Sequence, residues 1–532
     1  MSTKEQTTPE FTGWRAALWP IHGEELKKFL PLAFIMFCLL FNYTILRDTK
    51  DTLVVNSAGA GAITFLKLYC VTPAAILFVI IYAKLTNLLN RETVFYAVVT
   101  PFLVFFAAFA FVIYPNLEAM HPSLETVQAL HQNYPRFSGF IDIYAYWAFS
   151  LFYVLAEIWG SAMIALMFWQ FANHVVRMTE SKRFYGLFAV IGNLALVLSG
   201  QVVKFSSSYI QKFYATKEEA WSASVGLLMA AVILFGLIAM GLYRWMHTSV
   251  LTDKRFFDAE KAPVKSKKKK EKPSLVESAK LILNSPELGL IAILIMAYGV
   301  TINLVEVQWK HQLGLWYAGD KGGYNSFMGD FSTLTGITTI LFGLFLGSNI
   351  LRRVSWFKAA IITPLVITAG GAFFFFFIFS ESFVTLISSN FGITGVAAAT
   401  FLGAIIIILS KAIKYILFDA TKEMAYIPLD DELKTKGKAA VDVIGGRAGK
   451  AGGAFTQSTL LILFATKDVV AIAPIAFGAF SVACGLWFIA VKVLSKKVDA
   501  AVKLRSEQEL EEKAVKDSSK KVEEIETTKA PS

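Results

Sequence analysis

Leu30-Pro31-Leu32-Ala33-Phe34-Ile35-Met36-Phe37-Cys38-Leu39-Leu40-Phe41-Asn42-Tyr43-Thr44-Ile45-Leu46 runs almost unbroken in apolar side chains, then closes on Arg47-Asp48-Thr49-Lys50-Asp51. A soluble core helix carries an apolar stripe, whereas this segment is apolar nearly all round. About 20 such residues carry an α-helix across a hydrocarbon core of roughly 30 Å. The pattern recurs along the chain, with candidate spans at about 29–50, 63–83, 93–113, 143–170, 184–203 and 223–245. A second set falls at about 287–310, 331–350, 358–379, 396–418, 444–466 and 470–494. Composition agrees: 55% of the 532 residues are hydrophobic and 17% charged, against roughly 25% charged in a soluble domain. The expectation is an all-α membrane protein with about twelve transmembrane helices.

The spans divide into two groups of six. We expect an N-terminal segment 1–28, a first bundle 29–245, a basic linker 246–285 around Lys267 to Lys270, a second bundle 286–495 and a charged tail 496–532. Lys and Arg fall in alternate loops, at Lys84 and Arg91, at Arg177, Lys182 and Arg183, in the linker, and at Arg352, Arg353 and Lys358. Lys434, Lys436 and Lys438 extend the series, and Lys496 and Lys497 end it. Such loops face the cytoplasm, so both termini are expected there. The halves also echo one another. Phe171-Ala172-Asn173-His174 precedes a basic loop and Ile191-Gly192-Asn193; Phe418-Asp419-Ala420-Thr421 precedes another and Ile444-Gly445-Gly446. Two six-helix repeats predict a major-facilitator-like bundle with its substrate site between the halves, near the midplane.

Charge inside a span costs on the order of 2.5–3.5 kcal/mol and needs a partner or an aqueous cavity. Span four places Ser150, Tyr153, Glu157 and Ser161 on one face; span seven does the same with Asn303, Glu306 and Lys310. Glu306 and Lys310 also stand at the spacing of a local helix pair. In span one, Tyr43, Arg47 and Lys50 share a face beside one formed by Thr44, Asp48 and Asp51, and Lys67 lies just inside span two. Lys411, Lys414 and Lys422 of span ten fall within about 60° of each other on a regular helix. Span eleven opens with Arg447 and Lys450 on one face and a Gly445, Gly449, Gly453 stripe that permits close helix packing. The plain alternative for each is a structural ion pair or a snorkelling rim residue. So many cations favour a polyanion, since phosphates take several Lys and Arg donors at once.

The net charge of +11 invites a nucleic-acid reading, but the surplus lies largely in loops and tails and lacks interleaved aromatics. Cys38, Cys70 and Cys484 sit in separate apolar runs and imply neither a disulfide framework nor a metal site. Glu5, Glu10, Glu24 and Glu25 occupy the place of a signal peptide's basic stretch. Gly449-Lys450 fails as a phosphate-binding loop, because Ile444 and Ala451 stand where Gly and Ser or Thr are required. No nucleophile with its base is evident, no cofactor is implied, and the reading is a secondary transporter and not an enzyme.

Arg47-Asp48-Thr49-Lys50-Asp51, Phe65-Leu66-Lys67, Ala156-Glu157-Ile158-Trp159-Gly160-Ser161 and Thr421-Lys422-Glu423-Met424-Ala425-Tyr426-Ile427-Pro428 resemble the nucleotide transporters (ATP:ADP antiporters) of plastids and obligate intracellular bacteria, above all the chlamydial members. The resemblance spans about residues 25–495. It implies import of ATP in exchange for ADP, with inorganic phosphate accompanying ADP, across a bacterial inner membrane; the carrier is expected to be a monomer. Position by position it points to Lys50 or Lys67, Glu157, Glu306 and Lys450. With Arg47, Tyr153, Asn193, Asn303, Lys411, Lys414, Lys422 and Arg447 these form the candidate substrate-binding set. Proton-coupled import of other nucleotides or NAD-like anions, with Glu157 as proton site, is the alternative.

Overall fold

A computed structural model describes residues 15, 19–253, 256, 280, 282–347, 353–426, 429, 433, 437–438, 441–498 and 500. The described chain is helical throughout its spans and contains no strand. The first six long helices are α1 (Gly23–Ala58), α2 (Ala62–Leu88), α3 (Arg91–Met120), α4 (Trp147–Val175), α5 (Arg183–Phe213) and α6 (Lys217–Val250). The second six are α7 (Pro286–Trp316), α8 (Lys321–Phe345), α9 (Trp356–Phe379), α10 (Gly395–Ala425), α11 (Gly446–Leu463) and α12 (Ala473–Val498). Short helices, Leu124–Asn133 and Ser138–Ala145 after α3 and Glu381–Phe391 after α9, fill two of the loops. The linker lysines Lys265 to Lys272, Arg352, Lys434, Lys436, most of the first 18 residues and most of the tail lie outside the described residues.

Eleven of the twelve helices are long and apolar enough to cross a membrane. The exception is α11, whose first two turns hold Arg447, Lys450 and four glycines besides. It sits among other helices: a Cβ on Gly449 would lie 2.9 Å from the Met296 carbonyl oxygen, and one on Gly453 would lie 2.8 Å from the Asn303 Cβ. The expected glycine stripe thus lets α11 press directly on α7, which is why this span tolerates polarity. Outward faces are apolar, with Leu77, Val104, Phe111, Leu234, Ile405, Val482 and Ile489 exposed as a lipid-facing surface requires.

Two of the differences from the expected spans share one cause. Helix α8 begins at Lys321, about ten residues before the apolar run that marks it. Its opening stretch, Gly322-Gly323-Tyr324-Asn325-Ser326-Phe327-Met328-Gly329-Asp330, is polar because it faces the other half and not lipid. There α5 and α8 cross so closely that a Cβ on Gly200 would lie 2.5 Å from the Gly329 carbonyl, and the converse is also 2.5 Å. Helix α1 runs to Ala58 for the same reason, its Asp48-Thr49-Lys50-Asp51-Thr52 segment being buried in protein. Gly59, at φ +81°, then reverses the chain into α2, a backbone region that glycine enters without a Cβ penalty.

Candidate functional site

Charged side chains of both halves converge where α1, α2, α4, α7, α8 and α10 meet. Asp51 of α1 is about 1% exposed and uses both carboxylate oxygens. Oδ1 lies 2.8 Å from Lys50 Nζ and Oδ2 lies 2.8 Å from Lys310 Nζ of α7. Lys50 also reaches Glu157 of α4 at 3.1 Å and stands 3.9 Å above the centre of the Tyr153 ring. That placement adds a cation–π contact to the ion pair.

A second cluster borders the first. Glu306 of α7 lies 3.5 Å from Lys310, 3.6 Å from Lys411 of α10 and 3.8 Å from Lys67 of α2. Lys411 also rests 4.8 Å from the centre of the Phe331 ring of α8. Beside them Arg47 bonds Asp48 at 3.0 Å and donates to the Ser332 hydroxyl at 2.7 Å, while that hydroxyl donates to Asp48 at 2.5 Å. Exposure sets the Asp51 core apart: Glu157 at its edge is as open as the residues around Glu306. Lys50, Asp51 and Lys310 keep 1–3% of their side-chain surface. Lys67 keeps 14%, Lys411 16%, Arg47 16%, Glu306 19% and Glu157 23%. Solvent reaches the second group and not the first.

Further bonds between the halves gather at the end carrying the α1–α2, α5–α6, α7–α8 and α11–α12 turns. Thr52 donates to Asn325, which donates to Ser207, and Lys204 pairs with Asp330 at 2.8 Å. Asp142, just before α4, pairs with Lys467 at 2.9 Å, and His131 Nε2 lies 3.1 Å from the same carboxylate. Asp320 takes Lys217 at 3.1 Å and the backbone N–H of Gly323 at 2.7 Å. Burial raises the Asp320 carboxyl, but that N–H, Lys217 and Gln211 together hold it below the usual carboxylate range. At the opposite end Tyr415, Arg447 and Lys450 are exposed.

Residues 4–498 match the family model described as TLC ATP/ADP transporter. The chain belongs to that family. ADP,ATP carrier protein 1 of Chlamydia pneumoniae is 43% identical over 515 residues, covering 96% of this chain and 98% of its own. ADP,ATP carrier protein 1 of Rickettsia bellii is 45% identical over 489 residues, covering 92% and 96%. Among solved structures, a bacterial homologue of the iron transporter ferroportin in an inward-facing state aligns at TM-score 0.54 and 13% identity, over 89% of this chain and 100% of that one. A D-xylose–proton symporter aligns at TM-score 0.52 and 12% identity, over 88% and 97%. Those two establish the major-facilitator-like fold of this TLC ATP/ADP transporter family member and no more.

Of the thirteen residues singled out in the sequence, seven meet in the two clusters: Arg47, Lys50, Lys67, Tyr153, Glu157, Glu306 and Lys411. Six do not. Lys414 pairs with Asp419 at 2.9 Å and Lys422 with Asp442 at 3.1 Å, so the expected common face of Lys411, Lys414 and Lys422 is broken. A π-helical turn at Lys414–Phe418 offsets Lys422 from the register of a regular α-helix, and Lys414 pairs across that turn with Asp419. Arg447 and Lys450 stay exposed on α11, apart from the network's hydrogen bonds. Asn303 is buried against α11, where Gln457 donates to its side-chain oxygen at 3.4 Å. Asn193 donates back to Ala189 of its own helix. Sequence reading gave Asp51 and Lys310 no binding role. Asp51 showed only as a neighbour of Lys50 and Lys310 as a helical partner of Glu306; the pairing of the two across 259 positions leaves no trace in periodicity.

Proposed function

We propose that the chain exchanges ATP for ADP across a bacterial inner membrane, phosphate accompanying ADP, by alternating access of the two halves. The observation that carries this is the convergence of Lys67, Lys310 and Lys411, from three helices, on the single carboxylate of Glu306. A carboxylate ringed by lysines at 3.5–3.8 Å stands where a phosphate would be welcome. Lys67, Lys411 and Arg47 are solvent-reached and so can exchange partners; they are the phosphate ligands in this reading. Lys50 cannot serve without leaving Asp51 and Glu157, which favours Lys67 over Lys50 in this reading. Lys450, Arg447, Lys414 and Lys422 line the approach as an electrostatic funnel. The names of the chlamydial and rickettsial relatives supply the adenine nucleotides.

If the basic loops are cytoplasmic, both termini lie inside, the end bridged by Lys204–Asp330, Lys217–Asp320 and Lys467–Asp142 faces outward, and in this reading the nucleotide enters from the other end. The site is built within one chain, so a monomer suffices. Glu157 sits in an ion pair 3.1 Å from Lys50, a poor setting for a proton-coupling carboxylate, which disfavours the proton-driven alternative. The test is uptake of labelled ATP into proteoliposomes. Uptake that requires trapped ADP supports exchange; uptake driven by a pH gradient without internal nucleotide contradicts it.

A further inference from the structure

Exchange requires that the empty carrier not reorient, and the geometry points to the Asp51–Lys310 pair as the tie that enforces this, with Glu306 relaying nucleotide binding to it. This rests on the exchange reading above and adds the residues that make exchange obligatory. Asp51 belongs to the first half and Lys310 to the second. Their 2.8 Å contact, 1–3% exposed, is the most deeply buried ion pair crossing between the halves that we identify. The other crossing pairs lie nearer solvent: Lys204 and Asp330 keep 45% and 42% of their side-chain surface, and Lys217 keeps 63%. Exposed pairs are screened and readily traded for water, whereas a buried pair must find a substitute partner before it parts.

Glu306 is placed to supply that substitute. It touches the two lysines that solvent and substrate can reach, Lys67 and Lys411, and also Lys310. In the empty carrier its negative charge is shared among all three, and Lys310 is left to the nearer oxygen of Asp51, 2.8 Å against 3.5 Å. Phosphate groups that take over Lys67 and Lys411 return the whole of the Glu306 charge to Lys310. Glu306 and Lys310 belong to one helix, four residues apart, so strengthening their pair weakens the tie to α1 without placing a bare charge in the interior. Asp51 meanwhile keeps Lys50 at 2.8 Å. Binding therefore lowers the cost of parting the halves, and leaving the site empty restores it. Asp51 and Lys310 act as positioning residues: neither needs to touch the nucleotide.

The deciding variant is the double substitution D51N/K310Q in the full chain, which removes both charges of the tie and orphans neither. Purified wild-type and variant proteins are reconstituted into liposomes loaded with labelled ATP, and efflux is followed with and without external ADP. The expected result is that wild-type efflux needs external ADP, whereas the variant releases ATP at least about tenfold faster than wild type when ADP is absent. K204Q/D330N, which removes a pair at the exposed rim, is expected to retain the ADP requirement. Wild type that fails to exchange overturns the functional reading itself. A wild type that exchanges beside a D51N/K310Q protein that still needs ADP, or loses exchange with no gain in ADP-independent efflux, overturns the tie. Should the double variant not elute as a single monodisperse species, K310M is read in the same assay with the same two outcomes.

Discussion

The two charge clusters share a lysine and differ in what water can do to them. Around Asp51, ion pairs of 2.8 Å are sealed from solvent on every side. Around Glu306, contacts of 3.5–3.8 Å remain partly wet. Short and dry pairs hold geometry, because removing either partner strands a charge; looser and wetter ones can be traded for a ligand's charges. A transporter needs both, one to hold the halves and one to let a polyanion in.

The largest effect should follow from breaking the dry cluster on one side only. D51N leaves Lys310 leaning on Glu306 alone, and a half-removed buried pair costs about 3–5 kcal/mol. Thermal unfolding in detergent should show a marked loss of stability; an unchanged midpoint would mean that water already enters this cluster. Next comes the wet cluster. K67A or K411A each removes one charged donor to phosphate, worth about 1.5–3 kcal/mol, so the KM for ATP should rise roughly 10- to 100-fold while the unfolding midpoint barely moves. A fall in stability with unchanged KM would reverse the roles assigned to the two clusters. Smaller again is the rim: K204Q/D330N should alter stability by no more than about 1 kcal/mol, read from the same melts. The smallest effect belongs to N193A, whose side chain bonds only its own helix; ATP uptake should stay within about twofold of wild type, a change below roughly 0.5 kcal/mol.

Much of this contrast can be read in the sequence, up to a definite point. Apolar runs locate the spans because lipid demands them, and they fall short at Lys321, where a helix faces protein instead. Intramembrane charge marks Arg47, Lys50, Lys67, Glu157, Glu306 and Lys411 because each would be costly in lipid, and all six converge. The same rule cannot say who pairs with whom. Lys310 is read as a local partner of Glu306 because spacing exposes only neighbours along one helix, and its 2.8 Å contact with Asp51 exists only after α1 and α7 pack. Lys422 diverges for a related reason: a single π-helical turn shifts its register, and nothing in the residue types at Lys414–Phe418 marks it. Face arguments hold for regular helices and lapse at such turns.

Glu306 is where the two clusters are joined, and its sign of action is the sharpest test. If it is a tethered anion that phosphate displaces from Lys67 and Lys411, neutralising it removes a competitor. Calorimetric titration of ATP into purified E306Q should then give a Kd lower than wild type by about tenfold, the 1.4 kcal/mol expected of a partly screened charge. Weaker binding of ATP to E306Q than to wild type would contradict the account.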